Sequence, residues 1–424
     1  MLNRRGLLTV CVAIGLSVWA ATYILRAQGQ TDTVSGFDLH LRWVEQQYVL
    51  RARDPFRVVG EWRREHPRSD PTNLAWNQRD RHEWHVERPA LFRSQAASNA
   101  VEPDLGPPAP GYPPWAYFTG LFLVSLPWPA AYWWYLLVNV AALLALSLWI
   151  WKDGASLPGT FRLLLFGAVL AAASLRTTLR FGQYGLIVSA ALAAALLAMR
   201  DKRSIWAGIL FAIAMTKPTM AAPFLLVPLL RRDWKAIVAA TAYLVGGSLF
   251  VWAYTGTDPV SMLKSMVAAT NDVWLVTGAN PIRWLRDAGM NVQMAVKLCA
   301  AIGIAAALGL MHRFRAASLD VLFAIAAVVS RFWTYHKSYD DLILIFVMVP
   351  VARAAFERHR AGLWLVLLLL GVSLWVPSRL EKTNVLFHAF QCVTWIGSLV
   401  VLLWSARERA REFPIVSRPQ GAVA

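Results

Sequence analysis

The chain has 424 residues, 57% of them hydrophobic, and a formal net charge of +17. A soluble domain is about 45–50% apolar, and residues 363–370 and 191–198 are apolar on every helical face; this excludes a soluble globule and predicts a polytopic α-helical membrane protein. The charge forms no single patch for nucleic acid: it is split into short clusters between apolar runs, as in cytoplasmic loops where Lys and Arg resist translocation.

In chain order, Arg4-Arg5 precedes an apolar stretch at 7–25. That stretch is longer than a signal-peptide core of about 7–15 residues, so an uncleaved first span with its N-terminus inside is expected. Residues 26–111 then form a large external loop with 12 Arg, 12 Asp or Glu and four of the eight His. Long loops translocate regardless of their charge. In it, residues 38–50 show helical spacing, with Phe37, Leu41, Val44 and Tyr48 on one side, and predict an amphipathic helix lying along the outer membrane face. Residues 60–110 read as irregular. The proline-rich 103–110 forms a stiff lead-in to Tyr112-Pro113-Pro114, which opens the next helix.

Apolar candidates follow at 115–128, 130–150, 161–178, 184–199, 204–216, 219–230, 236–254, 291–311, 318–332, 342–356, 361–376 and 384–404. With basic clusters inside, residues 200–203, 231–235, 312–315, 353–360 and 407–412 are cytoplasmic. Residues 176–183, 217–218, 255–290, 333–341 and 377–383 are then external. The order becomes a first span at 1–25, the external loop at 26–111, a transmembrane core at 112–254, a second external loop at 255–290 with Trp-anchored interfacial helices, C-terminal spans at 291–406 and a cytoplasmic tail at 407–424. The count is 12 or 13 segments. Two threadings of 113–160 stay open: two full spans, or a half-membrane helix at 115–128, which is short for a core of about 30 Å. Cys11, Cys299 and Cys392 show no Cys-x-x-Cys spacing, so no zinc site or disulfide scaffold is expected.

The polar groups gather in five clusters on the predicted outer face: Gly36-Phe37-Asp38, Tyr112-Pro113-Pro114, Arg180-Phe181-Gly182-Gln183, Lys217-Pro218 and Tyr335-His336-Lys337-Ser338-Tyr339-Asp340-Asp341. Asp38 is either a general base for an acceptor hydroxyl or a helix N-terminal carboxylate stabilised by the macrodipole. Arg176 and Arg180, a turn apart, are phosphate ligands or snorkelling cations. Lys217 interrupts an apolar stretch, and a charge near membrane depth is a functional candidate. His336 and Lys337 are candidates to hold a phosphate leaving group. Tyr112, Gln183, Tyr335, Tyr339, Asp340, Asp341, His40 and Arg42 complete the candidate substrate pocket. Asp340-Asp341 alone does not make a metal site, and neither metal nor cofactor is expected.

Asp38 after the first span, Arg53-Asp54-Pro55-Phe56, Tyr112-Pro113-Pro114, Gly182-Gln183 and Lys217-Pro218, in this order and spacing, resemble glycosyltransferase family 87 over about residues 7 to 345. These are polyprenol-phosphate-sugar-dependent transferases of GT-C fold, including mycobacterial α-mannosyltransferases of phosphatidylinositol mannoside synthesis. The chain departs from the pattern at Arg53, where Gly is common, at Tyr184-Gly185, where Asn is more usual, and in the charged insert 57–110. The resemblance implies a GT-C-like bundle in the bacterial inner membrane with its active site facing the periplasm. Asp38 would be the catalytic aspartate, and Lys217 with His336-Lys337 would meet the lipid phosphate. The implied partners are a polyprenyl phosphate sugar donor, a lipid or glycan acceptor, and membrane lipid. A flippase without chemistry, or a ligase or polymerase using a polyprenyl pyrophosphate donor, are the competing readings. The first would need polar residues deep inside spans that look clean, and no internal repeat supports a transporter built from inverted halves.

Overall fold

A computed structural model describes residues 9–18, 22, 37–65, 110–128, 130–273, 281–334, 336–375 and 385–412. The expectations for the rest of the first loop, for Tyr335, for 377–383 and for the tail beyond 412 lie outside the described residues. Among the described residues the chain is helical, with no strands. The first half comprises α1 (Thr9–Val18), α2 (Phe37–Leu50), α3 (Pro55–Glu65), α4 (Pro114–Leu123), α5 (Ala130–Asp153), α6 (Gly159–Ala171), α7 (Ala173–Phe181), α8 (Gly185–Arg200) and α9 (Ser204–Ala214). It continues through α10 (Pro218–Leu230), α11 (Trp234–Thr255), α12 (Pro259–Val273), α13 (Pro281–Asp287), α14 (Val292–Arg313) and α15 (Leu319–Phe332). A 3-10 segment, Ser338–Leu344, leads into α16 (Ile345–Arg358), followed by α17 (Ala361–Trp375) and α18 (Val385–Glu412).

Helices α5, α11, α14 and α18 are each long and apolar enough to cross a bilayer, and α6 with α7, bent by 45° at Ala172, is together long enough for a fifth. The remaining apolar segments are shorter helices, so fewer full-length spans are present among the described residues than the 12 or 13 expected. Exposed Leu137, Val140, Leu144 and Leu148 on α5, and Val238, Val245 and Leu249 on α11, leave an apolar outer surface suited to lipid. The protein is a multi-pass membrane protein. Its centre is a column of interlocked rings, with Phe224 5.2 Å from Phe323 and 5.5 Å from Phe346, and Trp149 4.9 Å from Phe346.

One end of the bundle is tied by charge. Arg200 at the end of α8 and Arg353 of α16 each reach both Asp153 at the end of α5 and Asp320 at the start of α15. Two buried carboxylates thus share two guanidiniums, which satisfies the condition under which charges tolerate burial. Arg231 caps the carbonyl of Ala317, Arg358 pairs with Glu408, Arg409 with Glu357, and Arg407 lies 5.0 Å over the Phe314 ring. The basic clusters at 200–203, 231–235, 312–315, 353–360 and 407–412 therefore share this end. Helix α8, of 16 residues, spans about 24 Å at ~1.5 Å per residue; its far end, at Gly185, belongs to the opposite face, where Tyr112, Gln183, Lys217 and His336 collect.

One open threading is resolved, and two elements, α2 and α3, differ from the sequence reading. α4 has 10 residues and does not cross. Trp115 at its start bonds the Met215 carbonyl, and beyond its end Leu126 accepts from Trp43 of α2, so both flanks stay at the same end of the bundle. This half-length helix leaves Lys152 and Asp153 at the ion-paired end and removes the threading conflict. α2 is no surface helix: Leu39, His40, Trp43, Val44, Glu45, Gln46, Tyr48 and Val49 are all buried. Its expected wet face is covered by protein, with Val49, Phe56 of α3, Tyr117 of α4, Val251 of α11 and Met262 of α12 forming a small core of their own. α3 also carries helix to Glu65, beyond residue 60 where irregular chain was expected. In the second loop α12 and α13 are the helices, with Trp284 on α13.

Replacing Arg200 by Gln strands two buried carboxylates on a single arginine. The expected cost is about 3 kcal/mol, read as a lower unfolding temperature of the detergent-solubilised protein. Adding Asp320→Asn to the same chain is expected to recover part of it.

Candidate functional site

The polar end is organised by the turn between α7 and α8. α7 ends on Gly182, whose φ of 75° is a left-handed conformation that glycine adopts without penalty. A Cβ on Gly182 would overlap that of Leu39 and lie 3.0 Å from the Leu39 amide nitrogen, so the turn also admits the backbone of α2. Next in sequence, the Gln183 N–H donates to the Thr178 carbonyl at 2.9 Å, and its own carbonyl accepts from the Tyr135 hydroxyl at 2.7 Å. Gly185 is tight for the same reason: a Cβ there would sit 2.9 Å from the Tyr339 carbonyl. One small-residue turn thus holds α2, α5 and the 3-10 segment together.

From this turn a continuous line of contacts runs across the site. Gln183 Nε2 donates to Asp38 Oδ2, and Gln183 Oε1 accepts from Lys217 Nζ at 3.5 Å. Lys217 precedes Pro218, which occupies the first turn of α10 where a missing N–H costs nothing. Its ammonium pairs with Asp340 Oδ1 and stands 4.3 Å from the Tyr339 ring centroid, with the Lys337 ammonium 6.0 Å from the same ring. The other Asp340 oxygen faces His336 Nδ1 at 3.2 Å and accepts from the Lys337 N–H at 3.3 Å. Asp38, Gln183, Lys217, Tyr339, Asp340, His336 and Lys337 are therefore brought together from four parts of the chain.

Burial pushes His336 down to about 4, although Asp340 pulls the other way. Burial also raises the Asp340 carboxyl, but the Lys217 ammonium and the His336 bond outweigh it and hold Asp340 below the usual carboxylate range. His336 is fully buried, and its Nε2 has no hydrogen-bond partner among the described residues.

The other expected residues are placed as follows. Arg42, one turn after Asp38, pairs with Glu45 at 2.5 Å and lies 4.8 Å over the Tyr112 ring, which meets Tyr184 edge-on at 5.5 Å. These form a second wall beside Asp38. Asp341 pairs with Arg331 at 2.6 Å, behind the 3-10 segment. Arg176 and Arg180 are half-buried on α7, about 160° around the helix from Thr178, whose hydroxyl bonds the Tyr339 carbonyl at 3.2 Å. His40 does not join the line: it packs between Trp43 at 5.1 Å and Trp128 at 4.8 Å, on the opposite side of α2 from Asp38 and Arg42. Tyr335 lies outside the described residues.

Beside the line, Thr119, Tyr184, Val188, Ile213, Thr216 and Tyr243 help to line a largely apolar cavity of about 330 Å³. Tyr184 and Thr216 are the chain neighbours of Gln183 and Lys217, so the cavity borders the segments that carry the polar groups.

Residues 111–335 match the sequence profile of Glycosyltransferase family 87, more than half of the chain. The chain belongs to glycosyltransferase family 87. It is a membrane glycosyltransferase, and the transport reading without chemistry falls away. The matched region includes Tyr112, Arg176, Arg180, Gln183 and Lys217 but begins after Asp38 and ends before His336, a shorter stretch than the 7 to 345 expected. No curated protein and no solved structure matches the chain.

Several residues that build this candidate site were not singled out by the sequence. Glu45, fully enclosed, accepts from Tyr117 at 3.2 Å while it holds Arg42; burial pushes its carboxyl up to about 7 against the pull of Arg42. Tyr135 fixes the Gln183 carbonyl. Arg331, 2% exposed, backs Asp341 and lies 5.0 Å over Trp395. Its signal was present as a lone arginine near the end of an apolar run, which reads equally well as a snorkelling cation.

Two outcomes follow for stability. Gly182→Ala introduces a side chain at a positive φ, at about 1–2 kcal/mol, and forces Leu39 away; a lower unfolding temperature and faster proteolysis near α2 check it. The folded His336 value lies below its ordinary value of about 6.5, so its contribution is fully present above that value and lost as pH falls toward 4. Asp340 weakens the fold in the same direction at still lower pH. The unfolding temperature is expected to fall between pH 7 and pH 4.5, and less steeply in His336→Gln.

Proposed function

We propose that this transferase moves a single sugar, mannose or similar, from a polyprenyl phosphate monosaccharide to a lipid or glycan acceptor, with inversion, at the outer face of the bacterial inner membrane. Asp38 acts as the general base. It takes the proton of an acceptor hydroxyl while that oxygen attacks the anomeric carbon. The bond from the anomeric carbon to the phosphate oxygen breaks, and the electron pair leaves on the polyprenyl phosphate. Lys217, with Lys337 beside it, receives the developing phosphate charge, which preorganised cations stabilise in a water-poor site, and neutral His336 stands next to them as a hydrogen-bonding group. Arg176 and Arg180, on the side of α7 away from Thr178, fit the snorkelling reading, and Asp341 is engaged behind the 3-10 segment by Arg331. Tyr112, Gln183, Tyr339 and Asp340 bound the sugar and acceptor pocket, with Arg42 over Tyr112.

The observation that carries this reading is the contact of Asp38, through Gln183, with Lys217. A base and a phosphate-binding cation separated by one side-chain amide fit a reaction in which an acceptor oxygen, giving its proton to the base, enters one side of the anomeric carbon while the phosphate leaves from the other. The apolar cavity beside Gln183 and Lys217 supports a donor whose phosphate carries a lipid tail. The outward orientation is supported by the basic clusters at the other end of the bundle, since Lys and Arg mark cytoplasmic loops. A donor outside the cytoplasm also explains the absence of a Gly-rich nucleotide-phosphate motif in the sequence.

The test is transfer from a synthetic polyprenyl phosphate sugar to acceptor lipid by the purified protein. Asp38→Asn is expected to lower the rate by about 10²–10⁴-fold, and Lys217→Met to weaken donor use. Full activity of Asp38→Asn removes the base. Release of polyprenyl pyrophosphate, rather than monophosphate, would assign the protein to glycan ligases instead.

A further inference from the structure

We propose that Gln183 is a positioning residue that aligns the base Asp38 with the phosphate-binding Lys217, rather than a sugar ligand as its sequence context suggests. This rests on the functional reading above and goes one residue deeper.

The backbone of Gln183 has little freedom. Its N–H and carbonyl are bonded to Thr178 and Tyr135, and the preceding residue is the left-handed Gly182 wedged against Leu39. The residue is 92% buried, and the two ends of its side-chain amide meet opposite charges: the amide nitrogen faces the Asp38 carboxylate and the amide oxygen faces the Lys217 ammonium. Only one amide orientation satisfies both. The flipped amide would set oxygen against carboxylate and NH₂ against ammonium, so the neighbours fix the rotamer. Methionine keeps the length but loses both bonds; glutamate keeps the length but sets an anion against Asp38.

A base held by one hydrogen bond to a group that also touches the donor cation has its direction set by the donor end of the site. Its misplacement by about 1 Å costs on the order of 10²-fold in rate. The charged and titratable groups around Asp38 are Arg42 on its own helix, Tyr112 before α4, Tyr135 on α5 and, across Gln183, Lys217. The Tyr135 hydroxyl is committed to the Gln183 carbonyl, and the Gln183 amide is the neutral side-chain group that bonds both Asp38 and Lys217.

The experiment measures transfer kinetics and pH profiles for Gln183→Met and Gln183→Glu, with Asp38→Asn alongside. Gln183→Met is expected to lower kcat by about 10- to 100-fold with donor KM within about threefold. In Gln183→Glu the added carboxylate disfavours a charged neighbour, so the acid limb of kcat/KM is expected to move up by about one pH unit, a shift that a merely structural role does not produce. A raised donor KM with unchanged kcat in Gln183→Met makes Gln183 a donor ligand and overturns the proposal. So does an unshifted profile in Gln183→Glu. Should Gln183→Met fail to fold, Gln183→Glu, which keeps size and polarity, decides the matter. If Asp38→Asn is inactive while both Gln183 variants behave as wild type, only the alignment role fails. If Asp38→Asn is active, the base reading fails with it.

Discussion

The polar end of this protein depends on the approach of the α2 backbone to Gly182. An N-terminal helix some 140 residues away in sequence must deliver a carboxylate to the turn between α7 and α8, and any side chain on that turn would occupy the space that Leu39 fills. Glycine answers two demands at once: a left-handed φ that ends α7 and a surface without a Cβ. The contact is also cooperative with the rest of the turn. Gly185 admits the Tyr339 carbonyl, and Thr178 bonds that same carbonyl, so the 3-10 segment bearing Asp340 is seated by the turn that seats Asp38. The two halves of the site are thereby fixed in one frame.

The two ends of the bundle use charge in opposite ways. At the ion-paired end Asp153, Asp320, Arg200 and Arg353 balance, two against two. Such a closed set contributes little net stability over an apolar core but penalises any arrangement that separates its members. It ties the ends of α5, α8, α15 and α16, the helices whose other ends carry the site. At the site end Lys217, Lys337 and Arg331 stand with Asp38, Asp340 and Asp341, three against three, while Arg42 and Glu45 offset each other. This set is not closed: Gln183 stands between Asp38 and Lys217, so that carboxylate and that ammonium are not spent on each other.

Much of the helical framework was legible because its cause is one-dimensional. α5, α8, α11 and α14 lie close to the apolar runs that announced them, since lipid on the outside and backbone satisfaction on the inside leave a long apolar segment few alternatives. Clustering of the basic residues at one end was legible for the same reason. The helical period of α2 was readable, but its setting was not. Glu45 and Gln46 look like a solvated face until α3, α4 and α12 cover them, and a sequence does not say which second object lies against a helix. α4 was ambiguous because length alone decides between crossing and turning back, and its answer comes from Trp115 and Leu126 meeting partners at one end. The spans also looked cleaner than they are. His388, Gln391, Thr394 and Ser398 are buried along α18, at three- and four-residue spacings that an average over the segment conceals. His40 failed as a pocket residue through helical phase: two positions from Asp38 is about 200° around α2, which sends it to the tryptophans.

Lys217 gives the site its chemical direction. In the proposed reaction the donor, a polyprenyl phosphate monosaccharide, is a phosphodiester with one negative charge; the departing polyprenyl phosphate gains a second. Asp340 and His336 are arranged for this change. The carboxylate is held ionised by Lys217, and His336, buried and pushed toward its neutral form, adds no competing positive charge. Lys217 is thus anchored by one full negative charge rather than shared among several, and its attraction for a second anion persists. Because an ammonium beside a buried ion pair is screened by protein rather than water, the gain in stabilisation as the phosphate passes from one charge to two is larger than it would be at a wet surface. The cationic groups therefore favour the product side of bond cleavage over the bound donor, and a difference of that kind, rather than tight binding alone, is what accelerates a transfer reaction.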